Sequence, residues 1–165
     1  MMLTQKETAL LQDLKTQEKL CVDKYTKYSA SACDGELKNL FSQIGKIEQQ
    51  HLDTVNQILG GSTPNMSGSN SGSANSGQSL SAGSTLGKDP ACCKDENTSS
   101  FEHDKFLCED TLAMEKFVSS GYNVSIFEFR DTNLRDVLNH NQKEEQHHGE
   151  QIYKYMEAHG MYNPK

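Results

Sequence analysis

The chain contains an internal repeat, in which the second half matches the first at a constant offset of 97 positions and without a gap. The matched residues include core, capping and ionisable positions. They are Leu10 and Leu107, Asp13 and Asp110, Glu18 and Glu115, Tyr25 and Tyr122, Asp34 and Asp131, Leu37 and Leu134, Glu48 and Glu145, and His51 and His148. One shared offset across such different residue types predicts two similar units related by a pseudo-two-fold axis.

Each unit reads as a helical hairpin, because its apolar residues recur with the period of an α-helix. The predicted helices span residues 4–32, 35–59, 101–129 and 132–159. Their ends carry capping signals. These are Thr4 with Glu7, Ser99 with Glu102, Asp34, Asp131, Gly60-Gly61 and Gly160. We predict an all-α fold: one ferritin-like four-helix bundle, with residues 4–59 and 101–159 as its hairpins.

Residues 60–100 are rich in Gly, Ser and Asn and have almost no large apolar side chains. Such a segment buries too little surface to offset its ordering entropy, which predicts a flexible linker. A Gly/Ser coil of this length has an end-to-end distance of about 35 Å. It can therefore run along the bundle as the long crossover that ferritin-like folds use.

The 165-residue chain has a formal charge of −7, which argues against nucleic acid as a partner. It has no apolar run long enough to span a membrane and no apolar signal-peptide core near Met1. We therefore expect an intracellular protein. Its five cysteines are expected to be mostly reduced; Cys92 and Cys93 are expected either to face solvent or to cross-link neighbours in an assembly.

Ionisable residues interrupt the apolar stripe of every predicted helix. They are Glu18, Glu48, His51, Glu115, Glu145 and His148. The spacing of three places the Glu and His of each pair on one helix face. All lie near the middle of their helices, so the six side chains should meet at one level of the bundle.

Four buried carboxylates would be very costly without cations, and two divalent ions would balance their charge. One Glu from each of two helices plus Glu-x-x-His from each of the other two is the known di-iron or di-manganese pattern of such bundles. We therefore expect two divalent ions, iron or manganese, with zinc as another occupant in purified samples. A metal-free hydrogen-bonded network of the same residues is the alternative.

Other residues near this level have more than one reading. Tyr25 and Tyr122 pack in the core, hydrogen-bond a ligand or are oxidised by a metal-bound oxidant, and Cys21 is either core or a ligand. His140 and His147 should face solvent or lie just outside the six.

The second hairpin resembles the spore coat protein F (CotF-like) family of endospore-forming bacteria. The resemblance rests on the segments 110–116, 122–123, 134–140, 142–148, 153–156 and 159–162, and applies more loosely to residues 7–59. It implies a ferritin-like fold, association with the spore coat and other coat proteins as partners. A rubrerythrin-like protein would add a Cys-x-x-Cys module and a ferritin cage a fifth helix, and the chain shows neither.

Two functions are compatible with these features. The first is a spore coat component with a metal site. The second is a di-iron or di-manganese oxidoreductase acting on peroxide or dioxygen, as an oxidative-stress enzyme or a ferroxidase. Amphipathic helices and acidic charge allow a homodimer without requiring one, and no catalytic residue is assigned.

Overall fold

The computed structural model describes residues 2–64 and 97–162, and within these ranges the chain forms four helices and no strand. The helices are α1 (Gln5–Ser31), α2 (Gly35–Leu59), α3 (Asn97–Glu128) and α4 (Thr132–Ala158). No helix in the described ranges is long and apolar enough to cross a membrane. The all-helical, four-helix prediction is confirmed for this part of the chain.

Helix ends follow the predicted caps with one exception. The Thr4 hydroxyl accepts the Glu7 N–H, and the Glu7 carboxylate accepts the Thr4 N–H at 2.7 Å, which completes a capping box. Asp34 and Asp131 cap α2 and α4 through their side chains. Gly61 and Gly160, just after α2 and α4, have φ of 86° and 68°, a region that side chains with a Cβ rarely adopt.

The exception is α3, which begins at Asn97. Ser99 and Glu102 therefore lie inside the helix, and the predicted capping box at Ser99 is wrong. The last residues of the predicted 60–100 linker are helical, and residues 65–96 of it lie outside the described residues.

Helix α1 packs against α2 and α3, and α4 packs against α3 and α2. Contacts at opposite ends fix the direction of α1 against α3. Lys6 meets Glu128 at 2.7 Å, and Ser31 meets His103 at 3.0 Å, so these helices are antiparallel. The bundle thus brings the middle of every helix to a common level.

The core follows the predicted apolar stripes, with additions that helical periodicity did not indicate. Ala32, Met114, Phe129 and Met161 are also buried. Cys21 and Cys108 are buried free thiols, as expected, whereas Cys33 is disulfide-bonded. The expectation of reduced thiols therefore holds for two of the three described cysteines.

Two buried carboxylates tie each hairpin to the turn of the other. Glu7 of α1 accepts the Arg130 N–H, in the α3–α4 turn, at 3.0 Å. Its repeat equivalent, Asp104 of α3, accepts the N–H groups of Cys33 and Asp34, in the α1–α2 turn, at 2.7 and 2.8 Å. Backbone N–H groups that are shielded from water need hydrogen-bond partners, and here each hairpin supplies the acceptor for N–H groups in the turn of the other.

We expect Glu7→Gln to destabilise the protein by about 2 kcal/mol at pH 7, because it removes charge-assisted hydrogen bonds. Burial raises the pKa of Glu7, but hydrogen bonds from Thr4 and Arg130 outweigh it and lower the pKa from 4.5 to about 2. A carboxylate with a lowered folded-state pKa stabilises the fold above its unfolded pKa and loses that effect in acid. Urea unfolding of wild type and Glu7→Gln between pH 7 and pH 2 measures this contribution to the free energy of unfolding.

The stability gap between wild type and Glu7→Gln should narrow as the pH falls from about 4.5 toward 2. Asp13→Asn, at an exposed position of the same helix, serves as the control and should change little. A gap that stays constant down to pH 2 would contradict this role of the Glu7 charge.

Candidate metal centre

The structure brings all six predicted ligand residues together in the middle of the bundle. Each helix contributes one or two of these residues from the middle of its length, and each of the six side chains is at most 2 % exposed. The surrounding core is apolar, with Leu14, Ile44, Val55 and Ile152 fully or almost fully buried. The helical period places these carboxyl and imidazole groups on the core face, and the packing of α1 to α4 buries them.

The six residues form two groups, each able to hold a metal ion. One group is Glu18, Glu48, His51 and Glu145; the other is Glu48, Glu115, Glu145 and His148. Within a group the potential ligand atoms lie within 4.8 Å of one another. Glu48 and Glu145 belong to both groups, so these two carboxylates lie between the two positions.

Both imidazoles point Nδ1 into the cluster and reach across to the other hairpin. Nδ1 of His51 lies 2.8 Å from Oε1 of Glu145, and Nδ1 of His148 lies 2.9 Å from Oε1 of Glu48. The two rings stack with centroids 5.8 Å apart. This reciprocal arrangement is the one that the repeat predicts.

Each of the six side chains has at least one buried oxygen or nitrogen without a hydrogen-bond partner. Oε2 of Glu48 and of Glu145 is in this state, whereas Oε1 of each meets only the Nδ1 atom of a histidine from the other hairpin. Buried polar atoms are normally paired, so several unpaired atoms converging on one point are suited to binding a cation. Carboxylates with two imidazoles are also a donor set that suits iron, manganese or zinc. The residues therefore fit a pair of divalent ions.

Without metal, protons would have to balance the cluster. Burial and the Glu48 charge raise the pKa of Glu18, and burial raises the pKa of Glu145. Burial opposes the charged form of His148, but Glu115 and Glu48 outweigh it and raise its pKa to about 9. Both imidazoles and some carboxyls then carry protons, which any metal ion would displace.

Two tyrosines hydrogen-bond Glu18 and Glu115, the carboxylates that belong to only one group each and are called here the outer carboxylates. Tyr25 of α1 donates its hydroxyl to Oε1 of Glu115, and Tyr122 of α3 donates to Oε1 of Glu18. Burial, followed by the nearby carboxylates, raises the pKa of both phenols well above 10.0, so they remain donors. Both phenol rings also pack in the apolar core, so the predicted packing is confirmed, together with a contact to two of the predicted ligand residues. Each bond again joins one hairpin to the other.

Sequence reasoning missed two residues of α4 beside the site. Asn141, which is buried, donates from Nδ2 to the Tyr122 hydroxyl at 3.0 Å. Glu144, half-buried, lies 2.7 Å from Nε2 of His51 and 3.3 Å from Nε2 of His140. A signal for Asn141 was present, because its repeat equivalent in the apolar stripe is Ile44. Nothing on α4 alone indicated that Glu144 would reach His51.

The remaining candidates lie outside the two groups. Cys21 is fully buried, and burial together with the four carboxylates raises its pKa far above 9.0, so the thiol stays neutral. His147 is exposed and contacts Glu150 at 3.3 Å, as expected for a solvent-facing residue. His140, through Glu144, lies just outside the six.

Residues 103–165 match the family model of the Coat F domain. The match covers most of α3, the following turn, α4 and the C-terminal residues, and so includes Glu115, Glu145 and His148. It supports the predicted resemblance of the second hairpin to spore coat protein F. No curated protein and no solved structure matches the chain.

We expect Tyr122→Phe to destabilise the metal-free protein by about 1 kcal/mol more than Tyr25→Phe. Both changes remove one donor to a buried carboxylate, but only Tyr122→Phe also leaves the Asn141 amide without its acceptor. Urea unfolding in the presence of a chelator measures the difference. An equal loss in both variants, or a larger loss for Tyr25→Phe, would contradict the role assigned to Asn141.

Proposed function

We propose that this protein is a spore-coat-associated, ferritin-like bundle with a dinuclear iron or manganese site. The ligands would be Glu18, Glu48, His51, Glu115, Glu145 and His148. The single observation that supports it best is the convergence of their unpaired buried atoms into two groups that share Glu48 and Glu145. The location in the coat rests on the Coat F match over residues 103–165.

Charge balance favours two divalent ions over one. Four carboxylates and two neutral imidazoles give a formal charge of −4, which two divalent ions neutralise within a dry core. A single ion would leave two negative charges buried, at a cost of several kcal/mol each. Glu48 and Glu145, placed between the two positions, are the residues that would contact both ions.

When bound, such a pair of ions supplies Lewis acidity and, for iron or manganese, redox chemistry. The chain's own residues prepare the site. Tyr25 and Tyr122 orient the outer carboxylates, and Glu144 orients the His51 ring. The apolar core around them excludes water and strengthens each electrostatic contact.

A metal-free network remains the alternative for the cluster. In that case protons on the imidazoles and on Glu18 and Glu145 would compensate the charge. Such a network would pair Oε1 of Glu145 and of Glu48 with Nδ1 of His51 and of His148. It would leave Oε2 of both carboxylates without a donor, and buried unpaired acceptors cost about 1–3 kcal/mol each. This cost favours the metal-bound form.

A surface feature supports assembly with other proteins. Helix α3 exposes several large apolar side chains. They are Phe106, Phe117, Val124 and Phe127, with exposures of 60%, 64%, 54% and 83%. Exposed apolar side chains grouped on one element are typical of contact surfaces. They fit a protein that packs among coat proteins or against a second copy of itself.

Purified protein loaded with Mn²⁺ or Fe²⁺ should hold two ions per chain, located by anomalous scattering between Glu48, Glu145 and the two histidines. Loading should raise the midpoint of thermal unfolding, because the ions bind only the folded state; the gain is about 2.7 kcal/mol at a free concentration 100 times Kd. The double variant Glu48→Ala/Glu145→Ala should lose both the ions and the stabilisation.

Glu109→Ala/Glu150→Ala is the matched control, because it removes two exposed carboxylates from α3 and α4 and should retain both ions. Full occupancy in the Glu48→Ala/Glu145→Ala variant would overturn the ligand assignment.

The same loaded samples test whether the protein is an oxidoreductase. Peroxide consumption or ferrous oxidation that depends on the six residues would favour the oxidoreductase function. The absence of both activities would count against it.

The proposed location predicts that fractionated spores contain this protein in the coat extract, while vegetative cytosol contains little. Replacing Phe106 and Phe127 by Ser should reduce incorporation without changing metal content, because both side chains are exposed and lie at least nine positions from Glu115, the proposed ligand on the same helix. Protein found in vegetative cytosol and absent from spores would refute the coat assignment and leave the metal site untouched.

A further inference from the structure

The repeat makes the two metal positions similar, yet their surroundings differ. At each position one outer Glu receives a tyrosine hydroxyl and one His points Nδ1 inward. The residues behind these groups come from α4 at one position and from α2 at the other. Comparison at the 97-residue offset therefore shows which supports are present on one side only.

The Glu18–His51 position has both supports. Nε2 of His51 meets the Glu144 carboxylate at 2.7 Å, and the Tyr122 hydroxyl that binds Glu18 itself accepts Nδ2 of Asn141. A carboxylate on the far nitrogen of a histidine fixes its tautomer and ring orientation and raises its basicity as a ligand. With Nε2 donating to Glu144, the Nδ1 lone pair faces the cluster.

The Glu115–His148 position lacks both supports. The repeat equivalents of Asn141 and Glu144 are Ile44 and Ile47, neither of which can hydrogen-bond through its side chain. Nε2 of His148 is buried and has no hydrogen-bond partner among the described residues. This imidazole is therefore held by packing and by its Nδ1 contacts alone.

The two positions also differ in access from solvent. A cleft of about 360 Å³ lies between α3 and α4, and Glu115 and Glu145 line it together with Gly149. The repeat equivalent of Gly149 is Leu52, a half-buried side chain of α2. A cleft between α1 and α2 is also present, but none of the six ligand residues lines it.

Gly149 keeps this cleft open. A Cβ placed there would lie 3.6 Å from Cδ1 of Leu112 and 4.0 Å from Cβ of Glu115, so the position faces the side chains of these two residues. An added methyl group is tolerated at those distances, whereas a leucine would extend into the cleft. Glycine inside a helix costs roughly 0.5–1 kcal/mol relative to alanine, which makes the open space a feature with a stability cost.

We propose that the two metal positions are unequal in affinity and in access. The Glu18–His51 position binds a divalent ion first and retains it, with Glu144 as its positioning residue. The Glu115–His148 position binds the second ion more weakly and exchanges it through the cleft beside Gly149. This inference rests on the proposed dinuclear site and adds to it the order of loading.

Competition titration of the metal-free protein with Mn²⁺ and a fluorescent chelator tests the affinities. Wild type should bind two ions in two separated phases. Glu144→Gln should weaken the tighter phase about 10- to 100-fold and leave the weaker phase unchanged. Ile47→Glu, the matched gain at the repeat position, should tighten the weaker phase instead.

Stripping kinetics with excess chelator test the access. Wild type should release one ion fast and one slowly. Gly149→Leu should slow the fast release several-fold, whereas Gly149→Ala, which adds a methyl group and leaves the cleft open, should not. Far-ultraviolet circular dichroism of each variant checks that the helices are intact.

The outcomes separate the two claims. Failure of wild type to bind any divalent ion would refute the dinuclear site itself. Two ions bound with equal affinity, or a Glu144→Gln variant that weakens neither phase, would contradict the unequal affinities of the two positions. Neither result would contradict the dinuclear site. Equal release rates in wild type and Gly149→Leu would overturn the assignment of the cleft.

Discussion

The burial of four carboxylates and two imidazoles in the middle of a small bundle is the constraint on which the rest of this structure depends. Moving a carboxylate from water into such a core costs several kcal/mol even after relaxation. A bundle of this size has a total stability of only about 5–15 kcal/mol. The cluster is therefore compatible with folding only if its members compensate one another, through protons or through cations. The contacts of the two histidines and the two tyrosines with the four carboxylates all contribute to this compensation.

The shortest compensating contacts lie between the hairpins, although His51 and His148 also lie 3.7 Å and 3.6 Å from Glu48 and Glu115 of their own hairpins. His51 reaches Glu145, and His148 reaches Glu48; Tyr25 and Tyr122 likewise donate to the outer Glu of the opposite hairpin. At the bundle ends, Glu7 and Asp104 bind the backbone of each other's turn. A single hairpin would leave its buried ionisable groups without these partners. The pairing of the two halves is thus specified by polar contacts as well as by apolar burial.

The sequence predicted the helices, their caps and the set of six because these depend on short-range spacing and on the repeat offset. Helical periodicity identifies which face of a helix is buried, and the offset shows that two faces are alike. Neither gives the register between helices, which decides that Glu144 meets His51 and that Asn141 meets Tyr122. The start of α3 was also misplaced, because Asn97-Thr-Ser-Ser reads as a cap and loop in isolation. The ligand assignment and the linker stay predictions.

The Coat F match covers the second hairpin only, yet the candidate site needs both hairpins. Glu115, Glu145 and His148 alone hold three of the six ligand positions, and His148 would then lack its contact with Glu48. The supports of the Glu18–His51 position come from α4, inside the matched region, whereas the residues they support come from the first hairpin. Without Glu18 and His51, the Tyr122 hydroxyl and the Glu144 carboxylate would lose these partners across the bundle.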